Sequence, residues 1–205
     1  GTPPLGSVGE GPLKPQWPFV VSGPTSRSIR FGLAQARISG LGLQPAGWAR
    51  FVDGAAEHFA DRTVDGCQEP AFRVFAPILE QVQQASGDEA TVAAEIDAYL
   101  MRCAPPPSRH EAQILACHAA LRDPEVASVG QLGERLGLGL RSLQRLCAAY
   151  FGFPPKLLLR RQRFLRSLAQ FTLDPRLSWS GALDEQYYDQ AQFVRDFRSF
   201  MGITP

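Results

Sequence analysis

Arg141, Ser142, Gln144 and Arg145 lie within five consecutive positions, and their side chains share one chemical capability. Arginine carries paired donors that fit the O6 and N7 acceptors of guanine. Glutamine carries a donor and an acceptor that fit N6 and N7 of adenine, and serine can bond to either base. Leu143, Leu146, Cys147 and Tyr150 alternate with them at helical spacing, so an amphipathic helix here turns the four polar residues outward near its N-terminal end. Fifty positions on stands a second set, Tyr188, Gln190, Gln192 and Arg195, with Arg195 in register with Arg145. Two readings fit either set: contact with base edges, or the solvated face of an ordinary helical hairpin.

The same 50-residue offset extends to the elements that must carry these side chains. Val129, Leu132, Leu143, Cys147, Tyr150, Phe151, Gly152, Phe153 and Pro155 map onto Trp179, Ala182, Phe193, Phe197, Phe200, Met201, Gly202, Ile203 and Pro205. Repetition at that length points to two copies of one supersecondary unit. Each copy reads as a short helix, a tight turn and a second helix that ends at glycine, where φ > 0 is allowed, with proline just beyond. In the first copy Gly137 and Gly139 supply the turn, and Gly133 is small enough for two helices to cross closely. In the second, Asp189 reads as the N-cap of its outward-facing helix. Between the copies, Pro155 opens a helix with Leu157, Leu158, Phe164, Leu165, Leu168 and Phe171 as its apolar stripe. About 17 helical residues span about 25 Å, a helix that could space the two outward-facing helices by nearly one DNA turn, about 34 Å.

Charge supports the nucleic-acid reading of the first copy. The stretch from Arg135 to Arg166 holds eight bases and no acid, the pattern expected of phosphate neutralisation. Lys156, Arg160, Arg161, Arg163 and Arg166 are the candidate phosphate contacts, with pairing to internal acids as the alternative for some of the arginines. By contrast, residues 53–125 hold 13 acids and five bases. The formal net charge of +1 averages an acidic region with a basic one, and DNA contact is expected after about residue 125.

Other chemistries find little support. The four cysteines, Cys67, Cys103, Cys117 and Cys147, have no C-x-x-C spacing and read as reduced, packed thiols of a cytoplasmic protein. His58, His110 and His118 lack metal-ligand spacing, and no nucleophile elbow, P-loop or dinucleotide fingerprint is present, so neither enzyme activity nor a cofactor or metal is expected. No run of about 18 apolar residues argues for a membrane span.

Ahead of the repeat, residues 1–16 are rich in glycine and proline and read as a flexible or extended arm. Trp17 to Leu43 suggests two or three short strands, too few to stand alone. Helices are expected over Ala46–Phe59, Ala71–Ala85, Asp88–Cys103 and Ser108–Leu121, the third capped by Asp88. The division is an arm at 1–16, a regulatory region at 17–104, a linker and lead-in helix at 105–125, and the repeat-bearing domain at 126–205. Trp17, Phe19, Phe31 and Trp48 would be either core or the lining of a pocket.

Residues 126–205 resemble the DNA-binding domain of AraC-type transcription regulators. The resemblance rests on Val129-x-x-Leu132, on Gly137-Leu138-x-x-Arg141-Ser142-Leu143-Gln144-Arg145-Leu146, on Tyr150-Phe151-Gly152-x-x-Pro155, on the run from Tyr187 to Phe197, and on Gly202-x-x-Pro205. It implies a mainly α fold, in which a seven-helix domain with two homeodomain-like helix-turn-helix units follows an α-rich region with a few N-terminal strands. It also implies a sequence-specific regulator that reads two successive major-groove segments of double-stranded DNA. An activator role would bring RNA polymerase as a partner, and the front region would sense a small-molecule effector or form a homodimer. A module that binds an effector or a protein through a degenerate, non-reading pair of units is the competing expectation. The chain departs from the family pattern at Gly133 (usually Ala), Gly139 (usually Ser), Cys147 (usually aromatic) and Gln192 (often His), and the second unit lacks the Ala-x-x-x-Gly of its first helix.

Overall fold

The computed structural model describes residues 5–32, 38–84, 88–173, 183–184 and 186–205. Among them the chain is mainly helical, with a few short strands confined to its first third. The strands are β1 (Leu5–Val8), β2 (Lys14–Pro15), β3 (Val20–Ser22), β4 (Ile29–Gly32) and β5 (Thr63–Asp65). They form two small antiparallel sheets, one of order β2-β1-β4 and one that pairs β3 with β5. The stretch 1–16, expected as an arm, thus contributes β1 and β2. Its glycines and prolines do not prevent pairing, because β2 is a two-residue edge strand that leaves Pro15 outside a central ladder.

The helices are α1 (Pro45–Phe51), α2 (Ala76–Gln84), α3 (Glu89–Cys103), α4 (Glu111–Arg122), α5 (Val129–Leu136), α6 (Leu140–Phe151), α7 (Pro155–Leu173) and α8 (Gln190–Met201). The helix expected over Ala46–Phe59 stops at Phe51. The chain bends at Asp53-Gly54, where the Trp48 indole donates to the Gly54 carbonyl at 2.9 Å, and resumes as a 3-10 turn at Ala56–Phe59. The expected Ala71–Ala85 helix likewise begins as a 3-10 segment, Pro70–Phe75, before α2. In α3 the Asp88 carboxylate accepts from the Thr91 amide at 2.8 Å, as the sequence suggests.

Aromatic packing defines the front region. Trp48, Phe59 and Phe72 are buried and pairwise in contact, with ring centroids 5.0–5.8 Å apart. Phe19 and Val21 of the β3 segment and Val64 of β5 close over them. Trp17 and Phe31 are exposed instead. The four aromatics named as pocket candidates therefore do not line one cavity.

A second core joins α4, α5 and α6. Ile114, Cys117, Leu132, Leu143 and Cys147 are fully buried at its centre. Within residues 105–125 the helix α4 forms one wall of this core. Hydrogen bonding to Cys117, then burial, pushes the Cys147 thiol up, while hydrogen bonding to Cys147 lowers that of Cys117 against the opposing effect of burial; both sulfurs are free thiols packed in this core. The third core lies between α7 and α8 and is built from Phe164, Phe193, Phe197 and Phe200 with Tyr187. Leu157 of α7 packs against both cores.

Candidate nucleic-acid interface

The first unit is assembled from local signals. Ser128 and Gln131 form a reciprocal capping box at the start of α5: the Gln131 amide donates to the Ser128 hydroxyl at 3.2 Å, and the Ser128 amide donates to the Gln131 carboxamide at 3.0 Å. Gly137 closes α5 in the left-handed conformation, φ 62°. Two residues later Gly139 caps α6. The Leu138 amide bonds back to the Gly133 carbonyl at 2.9 Å, and a Cβ on Gly133 would stand 2.9 Å from the Leu138 carbonyl oxygen. Glycine at 133 is therefore favoured over even alanine by backbone, not by a side chain that could move aside.

This turn aims α6. Leu143, Leu146 and Cys147 are buried, while Arg141, Gln144 and Arg145 are exposed and Ser142 is half-exposed. The Arg145 guanidinium reaches the Ser142 hydroxyl only at 3.5 Å. None of the four has an ion-pair partner among the described residues. The front region covers the other half of the helix. Ala46, Ala49 and Ala60 pack against the first-unit core, and Arg50 forms a two-pronged ion pair with Glu111 at 2.7 Å. The outward N-terminal end of α6 stays open.

The second set is carried by α8. Asp189 caps it, accepting from the Gln192 amide at 2.6 Å, while the Gln192 carboxamide oxygen accepts from the Tyr188 amide at 3.2 Å. Gln192 is thereby committed to the cap, a local role that competes with base contact. Tyr188 is 92% exposed, and Gln190 and Arg195 are exposed on the same helix start. The first helix of this second copy was expected around 179–186; residues 174–182 and 185 lie outside the described residues.

The five cations proposed for phosphate divide. Lys156 is exposed at the first turn of α7. Arg160 and Arg163 both reach Asp196, at 2.5 and 3.3 Å, and Arg166 reaches Asp184 at 2.5 Å. Asp196 is 3% exposed and also accepts from the Tyr187 hydroxyl at 3.0 Å. The Arg163 guanidinium lies 4.4 Å from the centre of the Tyr187 ring. Burial, and after it the Asp196 charge, pushes the Tyr187 phenol up. Arg161 turns toward the front region: burial pushes its guanidinium down, and the Asp61 carboxylate opposes that. So Arg160, Arg163 and Arg166 are structural cations that lock α7 to α8 and to the segment before it, because an acid buried among phenylalanines must find partners. The sequence does carry a signal for this: Asp196 sits three positions after Phe193 and four before Phe200, on the apolar stripe of α8.

Among the described residues no three His, Cys, Asp or Glu side chains converge as a metal site. No helix among them is long and apolar enough to cross a membrane. Comparison with family models, with curated proteins and with solved structures finds no match to this chain.

Proposed function

We propose that the protein is a sequence-specific regulator of transcription that binds double-stranded DNA, with α6 as its principal reading helix. The observation that carries this is the α5-turn-α6 geometry. It sets Arg141, Ser142, Gln144 and Arg145 outward at the N-terminal end of a helix whose other face is the unit's core, the placement by which a second helix enters the major groove. The resemblance of residues 126–205 to AraC-type regulators points the same way. In this reading α8 lies along a second major-groove segment, where Tyr188, Gln190 and Arg195 are the groups on offer. At about 1.5 Å per residue the 19 residues of α7 span about 28 Å, a length suited to holding two reading helices on one side of a duplex. Lys156, exposed at the first turn of α7, supplies a phosphate contact. The acidic front region, with its exposed carboxylates on α3, stays off the DNA and regulates. A small-molecule effector, a second copy of the chain and RNA polymerase are the partners this role would bring, in a cytoplasmic protein without enzymatic activity.

The test is selection of duplexes from a random pool by the full chain, followed by gel shift at several salt concentrations. An enriched site and a steep salt slope are expected. Arg141→Ala and Arg145→Ala should each weaken the selected site by about 1–3 kcal/mol, roughly 5- to 150-fold, with relaxed preference at one base pair each. No enrichment, with both variants silent, overturns the reading in favour of a non-reading interaction module.

A further inference from the structure

The two copies of the repeat end on equivalent glycines, Gly152 and Gly202, 50 positions apart. Both adopt the left-handed conformation, at φ 80° and 77°. A single stretch of the front region reaches both. Pro24 packs so closely on Gly152 that a Cβ there would meet its ring at 2.8 Å. Four residues later, the Ser28 amide donates to the Phe200 carbonyl at 2.7 Å and the Ser28 hydroxyl donates to the Met201 carbonyl at 3.1 Å. Those are carbonyls at the end of α8 that lack partners within the helix. Glu10 completes the contact, its side chain 3.1 Å from the place of a Cβ on Gly202, and the Gly9 amide ties that hairpin to the Ser28 carbonyl at 2.9 Å. Between the two contact points the stretch is braced, because the Ser26 amide and hydroxyl both donate to the Asp61 carboxylate at 2.6 Å.

The two attachments differ in strength. The front region is built onto the first unit by apolar packing and the Arg50–Glu111 ion pair. It holds the second unit by hydrogen bonds to the end of one helix. Among the described residues the units are otherwise joined by α7 and by the Gln186 carboxamide, which donates to the Pro124 carbonyl. A single connecting helix leaves bending and rotation soft, whereas a second attachment at the far ends of both reading helices removes that freedom. We infer that the segment Gly23–Ser28 is a clamp that fixes the separation and rotation of α6 and α8, and so determines which spacing of two DNA segments the protein accepts. This rests on the DNA-reading role proposed above. A duplex turns by about 34–36° per base pair, so a rigid pair of readers must reject a site lengthened by one.

The experiment uses the full chain with Cys67→Ser and Cys103→Ser, spin labels at Glu134→Cys and Ser199→Cys, and the loosened clamp Pro24→Gly/Ser28→Ala. Glu134 and Ser199 are exposed on α5 and α8, outside the reading sets. Double electron–electron resonance without DNA should give one narrow distance in the parent and a broadened distribution in the loosened variant. Gel shift of the same proteins, without labels, uses the selected duplex and one lengthened by a base pair between its two segments. The parent should lose about tenfold or more on lengthening, and the loosened variant about threefold or less. A folded variant with an unchanged distance width overturns the clamp, and broadening with an unchanged spacing penalty overturns its role in site choice. If the parent selects no duplex, the DNA reading and the role in site choice fall, and the clamp is judged on distances alone. Should the double variant not fold by circular dichroism, Ser28→Ala alone must broaden the distribution in the same direction, and no change overturns the clamp.

Discussion

Lys156 and Arg163 belong to the same helix but face different media. Lys156 ends in solvent at the start of α7, whereas Arg163, with 17% of its side chain exposed, lies between Asp196 and the Tyr187 ring. Lys156→Ala should therefore lower the slope of log affinity against log salt by about 1 and leave melting unchanged. Arg163→Ala should do the reverse. It leaves Asp196 with one cation fewer in a nearly dry setting, at a cost of about 1–3 kcal/mol measured by denaturant unfolding, with the salt slope of the folded protein preserved. Charge counting along the chain cannot separate the two, because Asp184 and Asp196 lie 18 and 33 positions from their partners. The count of eight bases without an acid is correct as a composition. It is not a map of the electrostatic surface, since Arg135, Arg160, Arg163 and Arg166 meet acids that lie outside the counted stretch.

The helices that carry the proposed reading residues depend on their ends. Both α5 and α8 begin with a side-chain cap, and α6 begins with Gly139, which offers none. Asp189→Ala should destabilise the second unit by about 1 kcal/mol and raise amide exchange over the first turn of α8, while α6 is unaffected. Most of these ends are legible in the chain because each signal is local: Asp88 and Asp189 stand immediately before their helices, and Gly137, Gly152 and Gly202 immediately after; the Ser128 cap, equally local, emerges only from the structure. Less readable were elements whose partners lie far off. Leu5–Val8 pairs with Ile29–Gly32, a match invisible within a glycine- and proline-rich window. The apolar period running from Trp48 to Phe59 is real, since Trp48, Val52, Ala56 and Phe59 are all buried. It serves one core from a helix, a bend and a 3-10 turn, because burial constrains side chains more than it constrains the backbone that presents them.

Taken whole, the molecule is organised around the first unit, which both other cores adjoin. Its α4–α6 core is covered by Ala46, Ala49 and Ala60 from the front region and by Leu157 and Leu159 from α7. A fragment of residues 105–205 should consequently melt below the full chain, because it uncovers apolar surface that the front region buries; an equal midpoint by circular dichroism would contradict this packing. Acid should loosen the same junction. The Arg50 guanidinium holds the Glu111 carboxyl below its ordinary value of 4.5, so the stabilisation is complete above that pH and is lost as pH falls through the lower, folded value. Glu111→Gln should flatten this part of the acid-unfolding curve, read by circular dichroism.

The sulfurs at the centre of the first unit carry a consequence of another kind. Cys117 and Cys147 are wholly enclosed, while Cys67 is exposed. A thiol reagent added to the native protein should consume the exposed Cys67 without unfolding, and Cys117 and Cys147 only when α4 and α6 part. The enclosed pair is therefore an internal clock for the opening of the first unit. Slowing of that clock by an added duplex, at constant reagent, would register binding from the hidden side of α6, without altering any side chain on its outward face.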